Sequence, residues 1–163
     1  VIETIVEFAD REIALDLPRF GACTYRESEV LMFPWGLPGF ATLRRFVALS
    51  LDGQEKFIWL QSLDDLSIAL PTADPWQIFD DYAPQLPPYA SSSLDLVRPE
   101  DFVTLCVVVV SPGAEEMTMN LLAPVVINLV TRTGRQVTLE TGGYSVRTPI
   151  PRKAPSSAGA QGS

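Results

Sequence analysis

The side chains that could carry acid–base chemistry in this sequence are carboxylates, with Asp64, Asp65, Asp74, Asp80 and Asp81 gathered in the stretch 64–81. Two carboxyl groups facing one bond can act as acid and base in glycoside cleavage, so a carboxylate-based hydrolase is one reading of this segment. It would require a cleft and one carboxyl of raised pKa. Little else in the chain supports catalysis. No histidine occurs among the 163 residues, which removes Ser-His-Asp and Cys-His nucleophile systems, an imidazole acid or base, and any His-containing zinc site. Cys23 and Cys106 are far apart in strand-prone contexts and read as two buried, reduced thiols. The expectation is a protein without catalytic residues, metal or cofactor.

Charge offers a different use for the same carboxylates. The formal net charge is −8, which disfavours direct nucleic-acid binding, since proteins that hold phosphates gather Lys and Arg. The deficit is concentrated between Asp52 and Glu116, where Lys56 and Arg98 are the only bases, while the stretch from Met117 onward is net basic. Such asymmetry steers a complementary partner and speeds encounter, although a solvated acidic face that merely keeps the protein soluble would look the same. A carrier for a small apolar ligand is a third possibility, and it predicts an internal cavity larger than side-chain packing normally leaves.

The elements that must position these groups are strands. Arg45–Ser50 and Lys56–Gln61 are β-prone runs separated by a turn containing Asp52-Gly53, a hairpin signal. Phe102–Val110 is rich in β-branched residues and reads as a central strand apolar on both faces. Val125–Thr131 and Arg135–Glu140 flank Arg132-Thr133-Gly134 as a second hairpin. Short helical turns are expected at Pro75–Phe79 and Arg98–Asp101, where proline falls near an N-terminus. The proline-rich segment Ala83–Tyr89, with Ser91–Ser93 after it, reads as an extended surface connection. The fold class expected is mainly β: a small antiparallel β-barrel-like single domain with one or two short helical turns. Residues 1–18 form an N-terminal extension and first strand, 19–150 the barrel, and 151–163 a tail expected to be disordered. No apolar run approaches the roughly 18 residues of a membrane span, and the N-terminus lacks signal-peptide features, so a soluble cytoplasmic protein is expected.

Phe33-Pro34-Trp35-Gly36-Leu37-Pro38-Gly39-Phe40 places Pro38 and Gly39 at the central positions of a type II turn, proline presetting φ and glycine supplying positive φ. Phe33 and Phe40 are expected to close over that turn. The octet resembles the Phe-Pro-x-Gly-Leu-Pro-Gly-Phe signature of FliW proteins. Leu60-Gln61-Ser62-Leu63-Asp64-Asp65, Ile68-Ala69-Leu70, Asp74-Pro75 and the block from Thr118 to Asn128, which includes Asn120 and Pro124, are similar to further family segments in the same order. Arg19-Phe20-Gly21, Gly134–Val137, Tyr144, Arg147 and Pro149-Ile150 extend the resemblance over roughly residues 19–150. Trp35 stands where a polar residue is common, Leu66 replaces a frequent proline, and Leu70-Pro71 interrupts a strand that the family usually continues.

The resemblance implies a flagellar assembly factor that binds the RNA-binding regulator CsrA and flagellin in mutually exclusive complexes. Binding to CsrA would relieve repression of flagellin translation by an allosteric route, which requires unequal affinity for the RNA-free and RNA-bound forms of CsrA. A flagellin-only cytosolic chaperone is the alternative within the family. CsrA is expected to be basic, so Asp64, Asp65, Asp74, Asp80 and Asp81 are candidate rim contacts, with exposed Trp76 or Phe79 as central anchors. Asn120 and Asn128 bracket an apolar block where a buried amide needs hydrogen bonds. They read as pins for strand ends or bulges, with Asn120 also a candidate partner contact. Phe33, Pro34, Gly36, Pro38, Gly39, Phe40 and Pro124 read as architectural. The free protein is expected to be a monomer.

Overall fold

The computed structural model describes residues 10–111 and 116–151. The expected extension before Asp10 and the tail after Pro151 lie outside the described residues. Eleven strands run in the order β1 (Glu12–Leu17), β2 (Gly21–Arg26), β3 (Leu31–Met32), β4 (Arg45–Leu49), β5 (Phe57–Ser62), β6 (Ala69–Ala73), β7 (Phe102–Ser111), β8 (Glu116–Met119), β9 (Val125–Asn128), β10 (Thr133–Gln136) and β11 (Thr148–Pro149). One α-helix, α1 (Pro88–Leu94), and 3-10 turns at Glu27–Glu29, Pro75–Gln77 and Pro99–Asp101 complete the described elements.

The sheet closes into a ring. Neighbours follow β7-β6-β5-β4-β3-β10-β9, and β9 pairs back onto β7, so no edge is left around this part of the barrel. All these pairs are antiparallel except β3–β10, which is parallel through Met32 and Thr133. The Arg45–Ser50 and Lys56–Gln61 runs form the expected hairpin, with Phe46 opposite Ser62 and Leu49 opposite Trp59. Phe33, Phe46, Leu60, Leu105, Val125 and Ile127 fill the interior. Phe33 and Phe46 meet edge to face, 5.2 Å between centroids. Phe33 is therefore a core side chain, and it shares its buried cluster with Leu37 of the 37–40 turn.

One edge of β7 is shared by two partners in succession. Phe102–Leu105 pairs with β9, and Val108–Ser111 pairs with β8. Only Cys106 and Val107 of β7 therefore lie opposite the five residues Asn120–Pro124, which bulge out between β8 and β9. The 118–128 block is one strand interrupted by this bulge. Asn120 Oδ1 accepts from the Ala123 amide at 3.0 Å, and the Pro124 carbonyl accepts from the Val137 amide at 2.8 Å. Both contacts give partners to backbone groups that leave the ladder. β7 itself is less apolar in its surroundings than expected: Val109 and Val110 are more than half exposed.

Three further expectations change. The Pro-Pro segment does not stay extended: α1 begins at Pro88, with Pro at the first helical position where its missing N–H costs nothing, and Ala90 and Leu94 are buried one turn apart. The second hairpin turns at Leu129–Arg132, with Arg132 at φ +60°, so Thr133 and Gly134 lie in β10. Pro71 does not interrupt β6. It sits opposite Trp59, and pairing of β6 to β7 begins only at Thr72, so the missing N–H falls outside that ladder. The β1–β2 hairpin docks through Phe20 and Arg19, which both contact the Trp59 ring.

Candidate partner-binding surface

Asp74 follows β6 directly and ends it. Its side chain accepts from the Trp76 amide at 2.9 Å, capping the 3-10 turn whose first residue is Pro75. The Trp76 indole donates to the Tyr82 carbonyl at 2.7 Å and lies against the Tyr82 ring, leaving the tryptophan 40% exposed. Tyr82 is buried, donates to the Leu121 carbonyl at 2.7 Å, and its hydroxyl pKa is raised by burial. The segment 74–82 is thereby tied to the barrel at both ends, with Asp80 and Asp81 exposed on it.

Lys56, Asp74 and Gln77 border two shallow clefts. One, of about 460 Å³, continues over Phe57, Ile78, Met117 and Ile150. The other, of about 560 Å³, runs along the first half of β7 past Glu55, Trp76, Pro99 and Val103. The second cleft joins carboxylates and an exposed indole to an apolar floor, which suits a protein partner with basic and aliphatic side chains.

Other candidates fall elsewhere. Phe79 is half-buried against the cluster around Cys106, Val108 and Met119, so it is not the exposed side chain that was expected. Asp64 and Asp65 lie beyond the far end of β5 from Asp74, because Phe57 pairs with Ala73 and Gln61 with Ala69. A six-residue strand spans roughly 17–20 Å, which separates the acids into two groups. Asp64 has internal work: its carboxylate accepts from the amides of Arg44 and Arg45 at 2.7 and 3.0 Å and pairs with the Arg45 guanidinium at 3.0 Å. The Arg44 amide, followed by the Arg45 contacts, holds the Asp64 carboxyl below its ordinary value. Asp65 is similarly lowered by the Ser67 hydroxyl and amide.

A pH prediction follows for Asp64. A carboxyl whose pKa is depressed by folding stabilises the fold fully above its ordinary pKa near 4, and that contribution is lost as pH falls through the depressed value. Asp64→Asn should cost about 1–3 kcal/mol at neutral pH. Urea titrations of both proteins should show this gap shrinking as pH falls below the ordinary carboxylate range; a gap that stays the same at every pH at which both proteins fold would contradict the assignment.

The motif residues are structural in their contacts. The Phe40 amide donates to the Leu37 carbonyl at 2.7 Å across Pro38 and Gly39, with Gly39 at φ +85°. Gly36, at φ +65°, lies so close to the Ala41 backbone that an added Cβ would stand 2.5 Å from its carbonyl oxygen. Pro34 accepts from the Arg44 guanidinium at 2.6 Å. Cys106 is buried, and burial pushes its thiol up to about 12, so it stays protonated. Among the described residues, no group of three or more Cys, Asp or Glu is placed to hold a metal ion.

The barrel, its bulge and its glycine-proline corner can be set beside known proteins. The sequence model described as "FliW protein" matches residues 14–150. The chain belongs to the FliW family. The flagellar assembly factor FliW of Pseudothermotoga lettingae is 36% identical over 130 residues, covering 79% of this chain and 83% of that protein. That of Clostridium tetani is 32% identical, covering 83% and 94%. A crystal structure of the flagellar assembly factor FliW superposes with a TM-score of 0.77 at 27% identity, covering 86% of this chain and 99% of that one.

Within this FliW barrel, Glu55 and Val103 were missed as surface candidates. Glu55 sits in a turn and Val103 in an apolar run, so neither pattern marks it. Gln61 of the Leu-Gln-Ser segment has a structural role that its sequence pattern does not mark. Its fully buried amide donates to the carbonyls of Ser62, Leu66 and Ile68 and ties down the β5–β6 turn. No described helix is long and apolar enough to cross a membrane.

Proposed function

We propose that this FliW protein binds CsrA and flagellin in the cytoplasm, as a monomer when free and without a cofactor, and that its hold on CsrA relieves repression of flagellin translation. The observation that carries this reading is membership in the family over residues 14–150. The exposed Trp76 indole, with Glu55 and Asp74 beside Lys56 in its cleft and the exposed Asp80 and Asp81 further along the 74–82 segment, supports a site for the basic partner.

An RNA-binding partner such as CsrA is expected to carry basic surface, so the carboxylates of Asp74, Asp80 and Asp81 would steer it and then flank the exposed Trp76 indole. Asp80→Lys with Asp81→Lys should slow association and weaken the complex about tenfold while leaving the thermal midpoint unchanged. Surface plasmon resonance against CsrA from the same genome reads both effects. Unchanged association by the folded double variant would remove these two carboxylates from the site. The regulatory half is tested by adding the protein to CsrA bound to flagellin messenger RNA: RNA release is expected, and persistence of the CsrA–RNA complex at saturating protein would contradict it.

A further inference from the structure

The cleft beside Trp76 does not end at β7. Ile58, Val103 and Leu105, which line it, also line a further cleft of about 260 Å³. The residues of this second cleft fall near the starts of β3, β5 and β7 and the ends of β4 and β9, so it is the mouth at one end of the barrel. Its floor is core, through Leu31, Leu105 and Ile127, while Val103 and Leu129 at the rim are 36% and 41% exposed. Joined at their shared residues, the clefts make one groove with an apolar floor. Glu55, Asp74 and Trp76 stand at one end of it, and Glu29 and Arg132 at the other. The first described residue, Asp10, lies at the Arg132 end. Its carboxylate accepts from the Arg26 guanidinium at 3.1 Å and from the Ser28 amide at 3.3 Å, and the Ser28 carbonyl accepts from the Arg132 guanidinium at 2.9 Å. Residue 10 is thereby fixed beside the groove.

The segment Val1-Ile2-Glu3-Thr4-Ile5-Val6-Glu7-Phe8-Ala9 lies outside both the described residues and the family match. In an extended chain Ile2, Thr4, Val6 and Phe8 share one face, and Glu3 and Glu7 fall on the other. Phe8 is two residues from Asp10, about 7 Å of extended chain, and Ile2 is eight residues away, about 27 Å. An apolar stripe of this reach, tethered at the mouth of an apolar groove, has its docking surface beside it. We propose that residues 1–9 are a strap that lies along the groove, with Phe8 over Leu129, Val6 over Val103 and Leu105, and Ile2 over Ile58 toward Trp76. Apolar burial favours docking and the ordering of the segment opposes it, so the strap is displaceable. Glu3 and Glu7 have the same sign as Glu55 and Asp74, so apolar contact alone holds the strap at that end. A basic partner arriving at Trp76 displaces it. The strap thus gates the site proposed above for CsrA, a consequence that rests on that reading. A strap docked nine-tenths of the time lowers the partner's apparent affinity about tenfold.

The test places benzoylphenylalanine at position 2 or 6 of the full chain and maps the photo-cross-links by mass spectrometry. From position 6 the links should reach peptides carrying Val103–Leu105 or Leu129, and from position 2 those carrying Ile58 or Trp76, all within one molecule. Links scattered over the surface, or none, would overturn the docking. Links between two molecules would overturn it as well, by making a second copy the occupant. Val6→Asp with Phe8→Asp should abolish the links from position 2 and leave the thermal midpoint unchanged. The same double variant should bind CsrA from the same genome about threefold or more tighter than the unaltered chain in calorimetric titrations. Equal CsrA affinity in the two proteins, with the cross-links formed as expected, would overturn the gating while the docking stands. If neither protein binds CsrA although the cross-links form, the functional reading fails and the gating with it, and the strap remains.

Discussion

Phe33→Ala should destabilise the protein by about 3–5 kcal/mol, because it empties the centre of a closed barrel. Phe33 is fully buried and packs edge to face on Phe46. Its ring also explains why residue 134 is glycine. A Cβ there would stand 2.6 Å from Phe33 Cε2, 2.7 Å from Cζ and 3.2 Å from Ile127 Cγ1. Those atoms belong to a full core and cannot retreat without off-rotamer strain, so Gly134→Ala should cost about 1–3 kcal/mol. The two sites are in contact and should couple. In a Phe33→Leu background, where the ring edge is gone, Gly134→Ala should cost markedly less than in the native protein. Chemical denaturation of the four proteins measures the cycle. Simple additivity would show that the Phe33–Gly134 contact does not limit packing.

Asn128→Ala should be nearly as damaging, at about 3–4 kcal/mol. The side chain is buried and uses both ends of its amide. Nδ2 donates to the Leu94 and Asp95 carbonyls at 2.8 and 3.3 Å, and Oδ1 accepts from the Val130 and Thr131 amides at 2.8 and 3.1 Å. Asp95 is the left-handed residue that ends α1, so one side chain closes the helix and shapes the β9–β10 turn. Removing it strands backbone groups at both places. Asn128→Asp separates the two roles: it keeps acceptors for Val130 and Thr131 but turns a carboxylate toward two carbonyl oxygens. It should therefore lose most of the same stability, and hydrogen exchange should rise first in α1. A native-like Asn128→Asp would mean that the donor side contributes little.

These residues also show what could be read in advance. The β-branched runs and the Asp52-Gly53 turn gave the main hairpin, because period-two patterning and turn chemistry are local. Pro38 and Gly39 gave their turn for the same reason. Closure of the sheet was not local: it depends on β9 and β8 dividing one edge of β7, and on the parallel contact of β3 with β10. Gly134 looked like a turn residue because glycine signals turns in sequence, yet its reason is a ring supplied from residue 33. The helix at Pro88–Leu94 was hidden by its prolines, although proline at a first helical position is favourable and the Ala90 and Leu94 spacing is helical. The acidic residues carried a family-independent charge signal, but sequence could not distinguish Asp64, held by backbone amides, from Asp80 and Asp81, which face solvent. Trp35 stood out only as a departure from the family pattern; its meeting with Arg135 and Tyr89 is a product of tertiary structure.

The proposed complex with CsrA is electrostatically steered. Its most direct measurement is the association rate and affinity of the purified chain for CsrA from the same genome, at low and at high salt. A defined complex is expected, with association slowing as salt rises, since screening shortens the reach of the acidic residues. No complex at micromolar concentrations, or an association rate indifferent to salt, would contradict it.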